Sequence, residues 1–145
     1  MSKLVRNLRR VVKVSPVMTA DDNADNDVAF DWTAVPISTE NGLATMLQSV
    51  AILDADDSAA ALELVFCIGS DADGTAPTAA QGLVGGAGAG SAVVDITAAE
   101  AQAVQICGNV QMPLSEGDLI LAYAITVANI GLVLQPAANS NTIYM

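Results

Sequence analysis

After Asp118 the chain runs to its last residue, Met145, without a single charged side chain. A stretch of that length without charge has to be buried in lipid, in a protein core or in an interface. Lipid suits it poorly, because a membrane-spanning helix needs about 20 apolar residues. Leu119 to Leu134 offers sixteen uncharged residues, has no flanking Lys or Arg, and contains Thr126, Asn129 and Gly131. The segment is therefore expected to form two buried strands, Leu119 to Val127 and Gly131 to Leu134. Ala128-Asn129-Ile130-Gly131 reads as the turn between them.

The charges that are missing from this end are segregated elsewhere. All five basic residues, Lys3, Arg6, Arg9, Arg10 and Lys13, lie in the first 13 positions, and all sixteen acids lie between Asp21 and Asp118. The chain is a +5 arm attached to a −16 body. There is no His, which removes the usual general base and the commonest metal ligand. A body without Lys or Arg has no side-chain cation for a phosphate, a nucleotide or a substrate carboxylate. Its acidic surface repels nucleic acid. A structural or binding protein is expected rather than an enzyme, with no cofactor, no metal, no nucleic-acid partner and no membrane partner.

The 145 residues fit one domain, 14–145, carrying the arm 1–13. Along the body, short β-type runs alternate with turn residues. Val28 to Ile37 carries Phe30 and Trp32 at period two, with Pro36 marking an edge or an end. Asn41-Gly42 is a strand-joining turn. Thr45 to Leu53 and Ala61 to Ile68 flank the polar turn Asp54 to Ser58 and are expected to form a central antiparallel pair. The alternation in the first of them predicts partial cover on both faces. Residues 69–91 are rich in Gly and Ala and read as a long mobile surface loop. A short strand at Ala92 to Ile96 and a helix from Ala98 to about Ala103, capped by Thr97 and Glu100, follow. Val104 to Met112, a turn at Pro113 to Gly117, the two C-terminal runs and Thr142 to Met145 complete the pattern. The expected fold is an all-β antiparallel β-sandwich, a jelly roll of about eight strands with one short helix and an extended N-terminal arm.

Candidate motifs for chemistry fail on context. Gly86-Ala87-Gly88-Ala89-Gly90 lacks the Lys of a phosphate loop and the helix of a dinucleotide fold. Asp71-Ala72-Asp73-Gly74 opens like a calcium loop, but the twelfth position is Gly82 and not Glu, so it reads as a polar turn. Cys67 and Cys107 each sit in an apolar run. Two small buried hydrophobes and one disulfide between neighbouring strands are both compatible with that setting.

The arm carries the clearest functional signal. Leu4, Val5, Leu8, Val11 and Val12 recur at helical spacing between the cations, as in a basic amphipathic helix. The β-branched run Val11 to Val17, with Pro16, instead predicts an edge strand preceded by a contact tail, Met1 to Arg9. In either form Lys3, Leu4, Val5, Arg6, Leu8, Arg9, Arg10 and Lys13 are the candidate protein-contact residues. Burying Leu4, Val5 and Leu8 supplies about 1.5–3 kcal/mol each, while the exposed cations steer and fix register.

The order of these features resembles the small jelly-roll proteins that decorate or cement the heads of tailed bacteriophages. The matching stretches are Val14 to Val17, the Asn41-Gly42 turn leading to Met46-Leu47-Gln48-Ser49-Val50, and the Asp54 to Asp57 turn into Ala61-Leu62-Glu63-Leu64-Val65-Phe66. They continue with the short helix before Ile106-Cys107-Gly108-Asn109-Val110, then Gly131-Leu132-Val133-Leu134, and finally Thr142-Ile143-Tyr144. The resemblance implies a homotrimer on the outer surface of a virion, bound to major capsid protein and to neighbouring copies, without catalysis. A different expectation is a carbohydrate-binding sandwich, such as a virion adhesin, with Trp32 and the Gly69 to Gly90 loop forming a shallow site.

Overall fold

A computed structural model describes residues 10–16, 28–54, 62–78, 104–112 and 123–145. Six strands appear there and no helix: β1 (Ala34–Pro36), β2 (Thr45–Asp54), β3 (Leu62–Cys67), β4 (Ile106–Met112), β5 (Tyr123–Leu134) and β6 (Thr142–Tyr144). Every pairing is antiparallel. β1, β6, β3 and β4 form one sheet in that order, and β2 pairs with β5 in a second. The fold is an all-β sandwich. The expected strand at Ala92 to Ile96, the helix at Ala98 to Ala103 and the turn at Pro113 to Gly117 lie outside the described residues.

Alternation in each strand decides which side chains meet between the sheets. Leu64 and Phe66 of β3, Val110 and Met112 of β4, and Ile143 of β6 are buried on one side. Leu47, Val50 and Ile52 of β2 pack against them, with Val127, Ile130, Leu132 and Leu134 of β5. Period-two burial of this kind is what an antiparallel sandwich imposes. The two sheets meet where β5 lies against β4. A Cβ on Gly108 would stand 2.7 Å from Leu132 Cδ2 and 2.9 Å from Cδ1. Gly108 thus provides the recess in which the Leu132 side chain is seated.

Several expectations are corrected. Thr45 to Leu53 and Ala61 to Ile68 are not a central pair: β2 and β3 lie in different sheets, since the chain crosses the sandwich between them. The turn expected at Ala128 to Gly131 is a bulge inside one continuous strand. Leu47 faces Leu132 and Ser49 faces Ala128, so Gln48 alone opposes Asn129, Ile130 and Gly131. Asn129 and Gly131 absorb the excess with φ of 59° and 68°, values that these two residue types accept more readily than others. Ile130 between them packs on the core.

Val28 to Ile37 is strand only at Ala34–Pro36, although Thr33 exchanges backbone hydrogen bonds with Met145 at 2.9 and 3.0 Å and prolongs the pairing by one residue. Pro36 sits on the edge strand of its sheet, where its missing N–H costs no ladder bond. Residues 10–16 contain no strand, so the edge strand expected from Val11 is not formed there. The outer face of β2 is open rather than partly covered, with Met46 53% and Leu53 69% exposed.

The seat at Gly108 generates a measurable coupling. Gly108→Val should destabilise the chain by about 1–3 kcal/mol by overpacking, read as a lowered urea midpoint. Adding Leu132→Ala should cost less in that background than in the parent, because the truncated side chain no longer collides with the new one.

Candidate functional site

The candidate site is the arm and the surface from which it leaves. Of the expected contact residues, Lys3, Leu4, Val5, Arg6, Leu8 and Arg9 lie outside the described residues, whereas Arg10 and Lys13 lie within them. Arg10 Nη1 donates a 3.0 Å hydrogen bond to the Ser38 carbonyl. Ser38 is buried, just past the end of β1, and its hydroxyl donates to the Glu40 carbonyl. The same turn is held to β2 by Thr45, whose hydroxyl donates to the Ile37 carbonyl at 3.2 Å. The root of the arm is therefore tied to the turn between β1 and β2. Its acceptor is a neutral carbonyl rather than a carboxylate. After that contact exposure alternates: Val11 is 95% exposed and Lys13 is exposed, while Val12 and Val14 are half-buried.

The first part of the glycine-rich loop is a hydrogen-bonded turn packed on the C-terminal segment. Ser70 N–H donates to the Thr75 carbonyl at 2.9 Å. Asp71 Oδ1 accepts from the N–H groups of Asp73 and Thr75 at 3.0 and 2.9 Å. Hydrogen bonds from Thr75 above all, with those from Asp73 and Gly74, hold the Asp71 carboxyl below its ordinary range. This carboxylate serves its own loop, as the polar-turn reading of Asp71 to Gly74 expects. Tyr144 Oη donates to the Gly74 carbonyl at 3.2 Å, tying the turn to β6. The rest of the Gly69 to Gly90 loop lies outside the described residues. Trp32, the expected sugar platform, is half-buried. Among the described residues, no three His, Cys, Asp or Glu side chains gather in a group able to hold a metal ion.

Cys67 and Cys107 are free thiols on neighbouring strands. Phe66 faces Gly108 and Cys67 faces Ile106, which leaves Cys107 as the extra residue of a bulge beside Cys67. Burial, and then the neighbouring Cys107, push the Cys67 thiol up to about 12. Burial also raises Cys107, which remains half-buried. Tyr144 is raised as well, by burial first and then by Cys67 and Asp71. Sequence reasoning missed the bond from Arg10 to Ser38, and it left open whether the two cysteines are neighbours. A bond to a backbone carbonyl 28 positions away leaves no side-chain signature, and a bulge sets a register that alternation does not encode.

Searches of protein-family models, of curated proteins and of solved structures return no match to this chain.

Two measurements follow from the thiols. In the native chain a reagent such as DTNB should label Cys107 first, with Cys67 labelled only as the chain unfolds; two equally fast thiols would contradict the burial. Stability should also fall with alkali. The unfolded Cys67 thiol ionises from about 9.0 and the folded one from about 12, so the unfolded chain releases its proton first over that interval and each step of rising pH favours unfolding. Denaturant midpoints between pH 9 and 12 should therefore decline less steeply in Cys67→Ala than in the parent.

Proposed function

We propose that this chain is a structural virion protein, a jelly-roll decoration protein that sits on the outer surface of a phage capsid as a homotrimer. It bridges adjacent capsomers, holding major capsid protein and neighbouring copies through the basic arm and the rim of the sandwich. The observation that carries this reading is the junction of arm and body. A segment with five cations and interleaved apolar residues leaves an acidic sandwich at a turn to which Arg10 anchors it. The Arg10 contact gives the arm a fixed base from which a partner can be held. Charge then steers it toward an acidic surface, and Leu4, Val5 and Leu8 supply the apolar contact.

The strand order supports the jelly-roll form. A jelly roll of eight strands places its first, eighth, third and sixth strands in one sheet and pairs its second with its seventh in the other. The order β1-β6-β3-β4 opposite β2-β5 follows that pattern when two further strands are counted between β3 and β4. The strand expected at Ala92 to Ile96 falls in that interval. Many copies on a shell convert weak single contacts into avidity, so each arm needs only modest affinity.

The test is decoration itself. Undecorated capsid shells of the phage that this reading implies are incubated with the full chain and with a version lacking residues 1–13. Loss of three buried apolar side chains should lower occupancy at limiting concentration by about tenfold or more, and added salt should weaken the binding of the full chain. Full occupancy without the arm would overturn its role, and absence of binding by the full chain would overturn the decoration reading.

A further inference from the structure

The outer face of the β2–β5 sheet departs from what a two-layer sandwich normally shows to water. An antiparallel sheet with one face on the core usually carries polar and charged residues on the other. Here Met46, Leu53 and Val133 are 53%, 69% and 56% exposed. Ala51, Thr126 and Ala128 are exposed between them. The register places these side chains together: Met46 faces Val133, Ala51 faces Thr126, and Ser49 faces Ala128. Thr45 to Leu53 and Tyr123 to Leu134 contain no ionisable acid or base except Tyr123. At about 3.4 Å per residue this face runs about 30 Å along the strands.

We propose that this face is a contact between copies of the chain, packed sheet face against sheet face. The charge distribution selects that occupant. A nucleic acid or an anionic headgroup needs cations, and this face has none. A basic partner gains its attraction from carboxylates, and fifteen of the sixteen acids lie off the paired strands Thr45–Asp54 and Tyr123–Leu134, Asp54 standing at the far end of β2 opposite Tyr123. The partner surface must therefore be largely uncharged, with apolar side chains to meet Met46, Leu53 and Val133, and this same face is such a surface. For a body of sixteen negative charges, a face whose paired strands carry one acid lets two copies approach with little like charge between them.

The shape fits a two-fold contact. Met46 and Val133 stand at one end of the face and Leu53 at the other, with the small Ala51 and Ala128 between. A two-fold axis through the middle sets the Met46 and Val133 end of one copy against the Leu53 end of the next, and the small residues let the sheets approach. The contact is a property of the free chain. On a capsid it is one of the contacts between neighbouring copies, separate from whatever the arm grips.

Sedimentation velocity of the full chain over a concentration range tests this, alongside the double variant Met46→Glu/Val133→Glu and a chain lacking residues 1–13. The parent should self-associate, more strongly in high salt because repulsion between acidic bodies is screened while apolar burial persists. The double variant should lose that association by at least tenfold with an unchanged circular dichroism spectrum. Should it fail to fold, Thr126→Lys, a single change at an exposed position, is read in its place. The chain lacking residues 1–13 should associate like the parent. A parent that stays monomeric, a folded face variant that associates undiminished, or an association abolished by arm removal overturns the proposal. Decoration of shells is read separately, so its failure and the failure of this contact are distinct results.

Discussion

The structure depends on the seating of β5 across β4, where Leu132 enters the recess that Gly108 leaves open. A two-stranded ribbon is marginal alone in water and needs a hydrophobic face on which to lie. β2 and β5 find theirs on the sheet of β1, β6, β3 and β4, and the absent Cβ of Gly108 leaves room for the Leu132 side chain. The bulge in β5 serves the same seat. Its two left-handed residues, Asn129 and Gly131, carry Ile130 to the core and still let Leu132 and Leu134 face inward beyond it. Without them the strand would continue in strict alternation, and its two halves could not both point their large side chains at the opposite sheet.

Much of this was legible in the residues. Runs rich in Val, Ile and Leu located β2, β3, β4 and β6 to within a few positions, because a half-buried strand imposes period two on its sequence. Partnership was not legible. Thr45 to Leu53 and Ala61 to Ile68 are separated in sequence by polar residues of the kind that close a hairpin, yet β2 and β3 belong to opposite layers. Nothing in a strand's own alternation says which layer it enters. Ala128 to Gly131 illustrates the same limit at shorter range. Asn and Gly two apart supply positive φ for a tight turn or for a bulge, and only the partner strand distinguishes the two.

The candidate site divides along a similar line. Charge segregation pointed to the arm because charge is counted directly from sequence. The anchor was hidden, because Arg10 binds a carbonyl and a carbonyl belongs to every residue. That anchor changes what the arm is physically. A tail attached only by its covalent bond explores all directions, and any contact it makes must offset that entropy. One tied to the turn after β1 begins from a defined point, so less freedom is lost when its outer residues bind.

The uncharged C-terminal end, which first constrained the fold, resolves into two faces with different requirements. Alternation in β5 sends Leu132 and Leu134 inward, where the four-stranded sheet covers them, and sends Val133 outward. Burial in the core therefore accounts for the absence of charge on one face only. On the outer face a Lys or Glu would meet no steric obstacle, and one charged side chain would raise solubility at little cost in stability. The chain instead carries all but one of its acids on other segments, and the exception, Asp54, stands at the last position of β2. A sandwich that used charge only to stay in solution would have no reason to exempt one sheet face. One that must also bring another uncharged surface against that face has a direct reason, since a carboxylate buried there without a partner would oppose the contact by several kcal/mol, on the order of the binding energy itself.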